Sequence, residues 1–357
     1  GVAEQGRGDT ALADAVSAEL AQRTAAEVEE TVHAAGGLSV AVRAPEEWAR
    51  HPQGAEAAAR PLLSTGRLDQ APPLPLPELV GRGALHGLRV LDLTRVIAGP
   101  VATRTLALFG ADVLRVDAPQ LPESLDTHAD TGLGKRSTLL DLSSRADQAT
   151  FEELLSAADV VVTGYRPGAL DRFGLAPESL ADRRPGVVVG QLSAWGAYGP
   201  WHRRRGFDSL VQVATGIAAT EAPQQGPDVG APGAPGVLPA QALDHGTGYL
   251  LAAALLRALT EQRRGRCGSR LVRLALAQTA HWLLNGLGDP TGRPPRPDPA
   301  GARALHGAAY DPAAWLTETD SPLGRLRHAL PPVGYEGAPA TWSRPPGLPG
   351  ADPAAWW

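Results

Sequence analysis

From Leu88 onward the apolar residues come in short unbroken runs rather than in alternation: LRVLDL (88–93), DVLRVDAP (112–119), STLLDL (137–142), DVVVTG (159–164) and GVVVGQLSAW (186–195). Such runs mark strands buried on both faces, as in a parallel sheet covered by helices. Helical stretches fall between and after them, from Pro100 to Phe109, over 147–157, near 207–219 and over 245–263, and a strand–helix pair occupies 270–285. The predicted fold class is therefore α/β with a parallel sheet.

The front of the chain reads differently. Residues 10–35 are Ala- and Glu-rich with apolar positions at helical spacing, and Gly36-Gly37 stops them. LSVAVR (38–43) predicts a short strand, and PEEWARHPQGAEAAARPLL (45–63) a second helical piece. Prolines then crowd Leu68–Gly83, which places a boundary there. The expected organisation is a helical segment over 1–75, a Pro-rich linker over 76–86, a large domain over 87–285, and a Pro/Gly-rich tail over 286–357 that hugs the surface without regular structure. No internal repeat is present.

Composition narrows the function classes. Hydrophobic residues make up 43 % and charged ones 20 %, as in ordinary globular proteins, and 41 glycines with 33 prolines do not reach the level of a disordered chain. A net charge of -5 argues against a nucleic-acid partner, whose footprint would be basic. One cysteine, Cys267, excludes an internal disulfide framework and a cysteine metal cluster, so no metal is expected. The chain lacks an apolar stretch of about 18 residues and a signal-peptide pattern, so a cytoplasmic protein without membrane contact is expected. Lys135 is the only lysine among 33 basic residues. That bias points to a GC-rich coding sequence and makes arginine a weak sign of phosphate binding. With no methionine, residue 1 is not an initiator.

Several segments can carry chemistry. Thr94–Pro100 turns from strand to helix, where free N–H groups can hold an anion, although an ordinary connection looks the same. Asp117 closes the next strand where a ribose-binding acid sits in dinucleotide folds, but the glycine fingerprint is missing, which disfavours a nicotinamide enzyme. GYRPGALDRFG (164–174) and WHRRRGFDS (201–209) set aromatics beside arginines, either to stack a purine and its phosphates or as solvated loop charge. Asp244 precedes a strongly apolar helix. It reads either as an N-cap or as a carboxylate nucleophile toward a thioester, with Gly246 and Gly248 leaving room for an acyl group. His245 points away from it. A serine-hydrolase elbow is absent, and Cys267 in its basic loop reads as incidental.

In order along the chain, LRVLDLTRVIAGPVATRTLALFGADVLRVD, GKRSTLLDL, ADVVVTGYRPGALDRFGL, LSAWGAYGP, RRGFDSLVQVATG and LDHGTGYLLAAALLRAL resemble the family III CoA-transferases, over residues 85–285. That family includes formyl-CoA and carnitine CoA-transferases and 2-methylacyl-CoA racemases. The resemblance implies a Rossmann-like large domain, a smaller second domain and a homodimer of interlocked rings. It implies acyl-CoA and a carboxylic acid as substrates, coenzyme A passing between them, and no permanently bound cofactor. The family's nucleophile falls on Asp244. Its CoA contacts fall on Val96, Ile97 and Ala98, on Leu140, on Tyr165 and Arg172, and on Arg205, and its acyl-lining aromatic falls on Phe207. Racemases of the family carry a histidine there, and a phenyl ring moves no proton. Residues 10–75 resemble a small-domain piece that usually follows the large domain, and SPLGRLRHALPPVGYEGAPATW resembles the usual ending. These imply a reduced, partly N-terminal small domain. A non-catalytic CoA-binding or regulatory protein of the same fold is the alternative reading.

Overall fold

The computed structural model describes residues 2–72, 74, 83–222, 235–266, 268–286 and 311–357, with backbone only for 2–10. Cys267, most of the Pro-rich linker and the first part of the tail lie outside the described residues. Six strands are parallel: β2 (Arg89–Leu93), β3 (Asp112–Asp117), β4 (Arg136–Leu139), β5 (Val160–Thr163), β6 (Val188–Ser193) and β7 (Arg270–Ala275). A seventh, β1 (Leu63–Arg67), runs antiparallel along β7, from Leu63 opposite Leu274 to Arg67 opposite Arg270. The sheet order is β1-β7-β6-β5-β2-β3-β4. The parallel strands thus follow the doubly wound order, with the topological switch between β2 and β5, where ligands bind in such sheets.

The unbroken apolar runs explain both layers. Val90, Val160, Val162 and Val188 pack into one core, and their neighbours Leu91, Val161 and Val189 into the other, because successive side chains leave a strand on opposite faces. The first core is completed by α5 (Ala98–Leu108), α9 (Asp208–Thr215), α11 (Ala242–Arg263) and α12 (Leu276–Asn285). The second is completed by α7 (Arg145–Ser156) and α8 (Pro177–Arg183). Two short helices, α6 (Leu125–Thr131) and α10 (Ile217–Glu221), finish the large unit.

At the N-terminus the expected single helix divides into α1 (Val2–Leu20) and α2 (Ala25–Ala34). Thr24 and Glu27 form a capping box that restarts the helix. LSVAVR forms no regular element and joins no ladder, a correction to the expected strand. The second helical piece is two short helices, α3 (Pro45–Arg50) and α4 (Pro52–Ala58), each opened by a proline, and it ends in β1. This segment is keyed to the large unit by Gln53, which is wholly buried. Its amide donates to the Trp195 carbonyl at 2.8 Å, and its carbonyl accepts from Trp201 N–H at 2.8 Å. In the tail, β8 (Leu316–Ser321) and β9 (Gly324–Ala329) form a hairpin where irregular chain was expected. Further on, Asp352 covers the β4 edge. Its N–H donates to the Ser137 carbonyl at 2.8 Å, and its carboxylate accepts from Ser137 N–H at 2.9 Å.

Candidate active site

The turn after β2 is held from beneath by a buried charge. Asp92 is wholly buried and accepts from Lys135 Nζ at 2.8 Å, Thr103 Oγ1 at 2.6 Å, Thr94 N–H at 3.0 Å and Thr94 Oγ1 at 2.5 Å. Burial by itself would raise its carboxyl, but the Lys135 and Arg115 charges and these donors hold it below the usual carboxylate range. Burial lowers Lys135 to about 8 even beside Asp92, and its other contact is the Pro100 carbonyl at 2.8 Å. Above this network Val96 adopts φ 67°, rare for a β-branched residue, with its N–H on Glu123 Oε1 at 2.7 Å. Ile97 caps α5 and Ala98 opens it, so Pro100 is the third helical residue and not the first. Gly99 must be glycine, since a Cβ there would meet the Thr94 side chain at 2.4 Å.

A cleft of about 710 Å³ opens at the carboxyl ends of β2 to β5. Leu140, Tyr165 and Arg172, three residues expected at CoA, line it together with Asp117 and Phe173. The Arg172 guanidinium lies over the Phe173 ring at 4.5 Å, a flat cationic face of the kind that holds a base or a phosphate. Burial raises the Tyr165 phenol, which keeps it a neutral donor. Val96, Ile97 and Ala98 stand in the turn just beyond Leu93, which also lines the cleft. Arg205, Phe207 and Asp244 are not among its lining residues. Arg205 is exposed and donates to the Gly36 carbonyl, and Phe207 is exposed at the start of α9.

Asp244 sits in the first turn of α11. Gln241 is the cap, so Asp244 is the third helical residue, which corrects the N-cap reading. Its N–H, one of the free donors of a helix start, goes to Asp208 Oδ2 at 3.0 Å. Its carboxylate is buried and accepts no hydrogen bond among the described residues. Burial first, and the Asp208 charge second, push its carboxyl up to about 7. The surroundings thus favour the protonated form even at a helix start. Gly248 also serves a different purpose from the one read in the sequence. A Cβ there would meet the Ala98 carbonyl at 2.5 Å, so Gly248 lets α11 lie close on α5 and gives no room to an acyl group. Only a Thr279 methyl, 3.7 Å away, would meet a Cβ on Gly246.

Asp208 is a candidate site residue to which the sequence reading gave no role. It is buried at the start of α9 and also accepts from the Gln212 amide. The available signal was an acidic residue opening a helix directly after Phe207. Among the described residues no group of His, Cys, Asp and Glu could hold a metal ion, and no helix is long and apolar enough to cross a membrane.

Residues 85–312 match the family described as CoA-transferase family III. The chain is 35 % identical to the acetyl-coenzyme A transferase nodX of Hypoxylon pulicicidum over 57 % of this chain and 34 % of that protein. It is 34 % identical to a formyl-CoA:oxalate CoA-transferase of Rhodopseudomonas palustris over 53 % of this chain and 45 % of that one. The chain thus spans less than half the length of these two curated relatives. Among solved structures, that of the hypothetical protein Rv3272 from Mycobacterium tuberculosis is similar at a TM-score of 0.50 with 29 % identity, covering 68 % of this chain and 64 % of that one.

Proposed function

This chain belongs to CoA-transferase family III, and on that footing we propose that it moves coenzyme A from an acyl-CoA donor to a carboxylic acid, with Asp244 as the nucleophile. The observation that carries the reading is the Asp244 carboxylate itself, buried, beside a second carboxylate, and accepting no hydrogen bond among the described residues. A carboxylate with no donors to hold its lone pairs is a better nucleophile than one pinned by an ion pair.

The steps balance without net proton transfer. An Asp244 oxygen attacks the thioester carbonyl, the carbon–sulfur bond breaks, and CoA leaves as a thiolate. The thiolate attacks the aspartyl carbonyl of the mixed anhydride, releasing the donor's carboxylate and leaving an aspartyl-CoA thioester. The acceptor carboxylate displaces the thiolate to form a second anhydride, and the thiolate attacks the acceptor's carbonyl to regenerate Asp244. The cleft bounded by Leu140, Tyr165 and Arg172 is the proposed seat of the nucleotide end of CoA, with the Val96–Ala98 turn and Arg205 as further contacts. Phe207 is the proposed acyl neighbour, and it speaks against racemisation because a phenyl ring cannot carry a proton.

Intact-protein mass after brief mixing with a panel of acyl-CoAs tests the reading. An acyl-sized or CoA-sized adduct on the wild type, absent in Asp244→Ala, is expected. CoA binding with no adduct across the panel would leave a CoA-binding protein without turnover.

A further inference from the structure

A second cleft, of about 270 Å³, opens at the carboxyl ends of β5, β6 and β7 and shares Tyr165, Arg166, Gly168, Leu170 and Leu175 with the first. Part of its wall, Arg60 and Ser64, comes from the N-terminal segment that β1 ties to the sheet. Arg60 is already matched by Glu56 and lies over the Tyr198 ring at 4.2 Å. Arg166 and Arg273 have no acidic partner among the described residues. Arg273 uses only its Nε, toward Gln191 Oε1 at 2.9 Å, which leaves the ends of its fork for another acceptor. Asp171 is the one carboxylate in the lining. The Tyr198 hydroxyl is buried without a hydrogen-bond partner, and burial raises the phenol, so it is a neutral donor lacking an acceptor. Leu170, Leu175, Leu192 and Leu274 supply an apolar wall.

We propose that this second cleft binds a small organic monocarboxylate, its carboxylate on Arg166 and Arg273 and a further oxygen within reach of the Tyr198 hydroxyl. Two unmatched guanidiniums against Asp171 leave one net positive charge, which a monoanion neutralises. A dianionic phosphate would meet the Asp171 carboxylate. Planar guanidinium forks suit a planar carboxylate. The inference stands on the cleft and does not rest on the transferase reading.

The test is saturation-transfer NMR on the full chain with 3-hydroxybutyrate as the probe, inorganic phosphate as the contrast, and saturating CoA in a parallel series. We expect dissociation in the low millimolar range, weakened about tenfold by Arg273→Gln or Arg166→Gln and about threefold by Tyr198→Phe. Binding should persist within about twofold when CoA is present. Unchanged melting temperatures in all three variants, with unchanged CoA affinity in Arg273→Gln and Tyr198→Phe, will show that they are folded. Equal binding by the variants, equal or tighter binding of phosphate, or displacement by CoA would each overturn the proposal, the last by making this cleft part of the CoA site.

Discussion

Asp92 and Asp244 are both buried, yet their surroundings have opposite character. Asp92 has four donors within 3.0 Å, one of them the chain's only lysine, and stays ionised below the usual carboxylate range. Asp244 has no donor on its carboxylate among the described residues and a second carboxylate for a neighbour, so its proton is held up to about 7. A buried charge is tolerated when it is paired and hydrogen-bonded, and otherwise it shifts its pKa. The first aspartate therefore shapes the Thr94–Ala98 turn, and the second, the proposed nucleophile, is left without a donor among the described residues. The lone lysine fits this division: an ammonium is a compact point charge that reaches Asp92 and the Pro100 carbonyl together, where a guanidinium fork would need more space.

The largest effect should come from breaking the compensated site. Asp92→Ala leaves the Lys135 ammonium buried with one carbonyl, and removal of one partner of a buried pair costs roughly 3–5 kcal/mol. Urea unfolding measures it. The double variant Asp92→Ala with Lys135→Met should recover part of that loss, because no unpaired charge remains. If Asp92→Ala alone is nearly neutral, the two aspartates do not differ as described.

Breaking the uncompensated site should have the opposite sign. An aspartate that holds its proton more tightly when folded loses stability as pH rises from its unfolded value near 4 toward about 7, and the penalty is complete above that. Asp244→Asn escapes the penalty while ending adduct formation. Its margin of stability over wild type should be smallest near pH 4 and widen by pH 8 to roughly 2–4 kcal/mol. A difference that does not grow with pH would mean that Asp244 titrates as an ordinary surface carboxylate.

The sheet and the position of the cleft were legible in the sequence because continuous Val and Leu runs admit few other folds. Leu140, Tyr165 and Arg172 line one cleft, although they lie on two separate segments of the chain. Less legible were features decided by long-range contacts. β1 was hidden because LSTGR has little strand propensity and forms its ladder only against β7. The strand expected at LSVAVR has the right composition but no neighbouring strand. The pairing of Asp208 with Asp244 joins residues 36 apart through one backbone N–H, and neither segment's pattern reveals it. Gly248 looked like space for a ligand because a sequence does not show that α5 fills it.

Asp208→Asn separates the two causes of the Asp244 shift. Burial is the larger, so removing the neighbouring charge should lower the Asp244 carboxyl only part of the way, by at most about one pH unit or about 1.4 kcal/mol. The pH profile of adduct formation reads it: the rising limb should move to lower pH with its plateau little changed. A limb that falls to the ordinary aspartate range would make the Asp208 charge the dominant cause.

The smallest effect grades the compensated site. Thr103→Val keeps the side-chain shape and removes one donor, at 2.6 Å, from Asp92, while Lys135 and Thr94 remain. The expected loss is about 1 kcal/mol, the net value of an ordinary hydrogen bond, because the remaining donors still hold the charge. Urea midpoints at constant slope will measure it. A loss approaching that of Asp92→Ala would mean that the donors act as a unit, so that Lys135 holds Asp92 only while the hydroxyls orient it. In that case compensation depends on geometry more than on opposite charge. Asp244 would then be reactive chiefly because the start of α11 directs no donor at its oxygens, and Asp208 would matter less for its charge than for holding the Asp244 backbone in place.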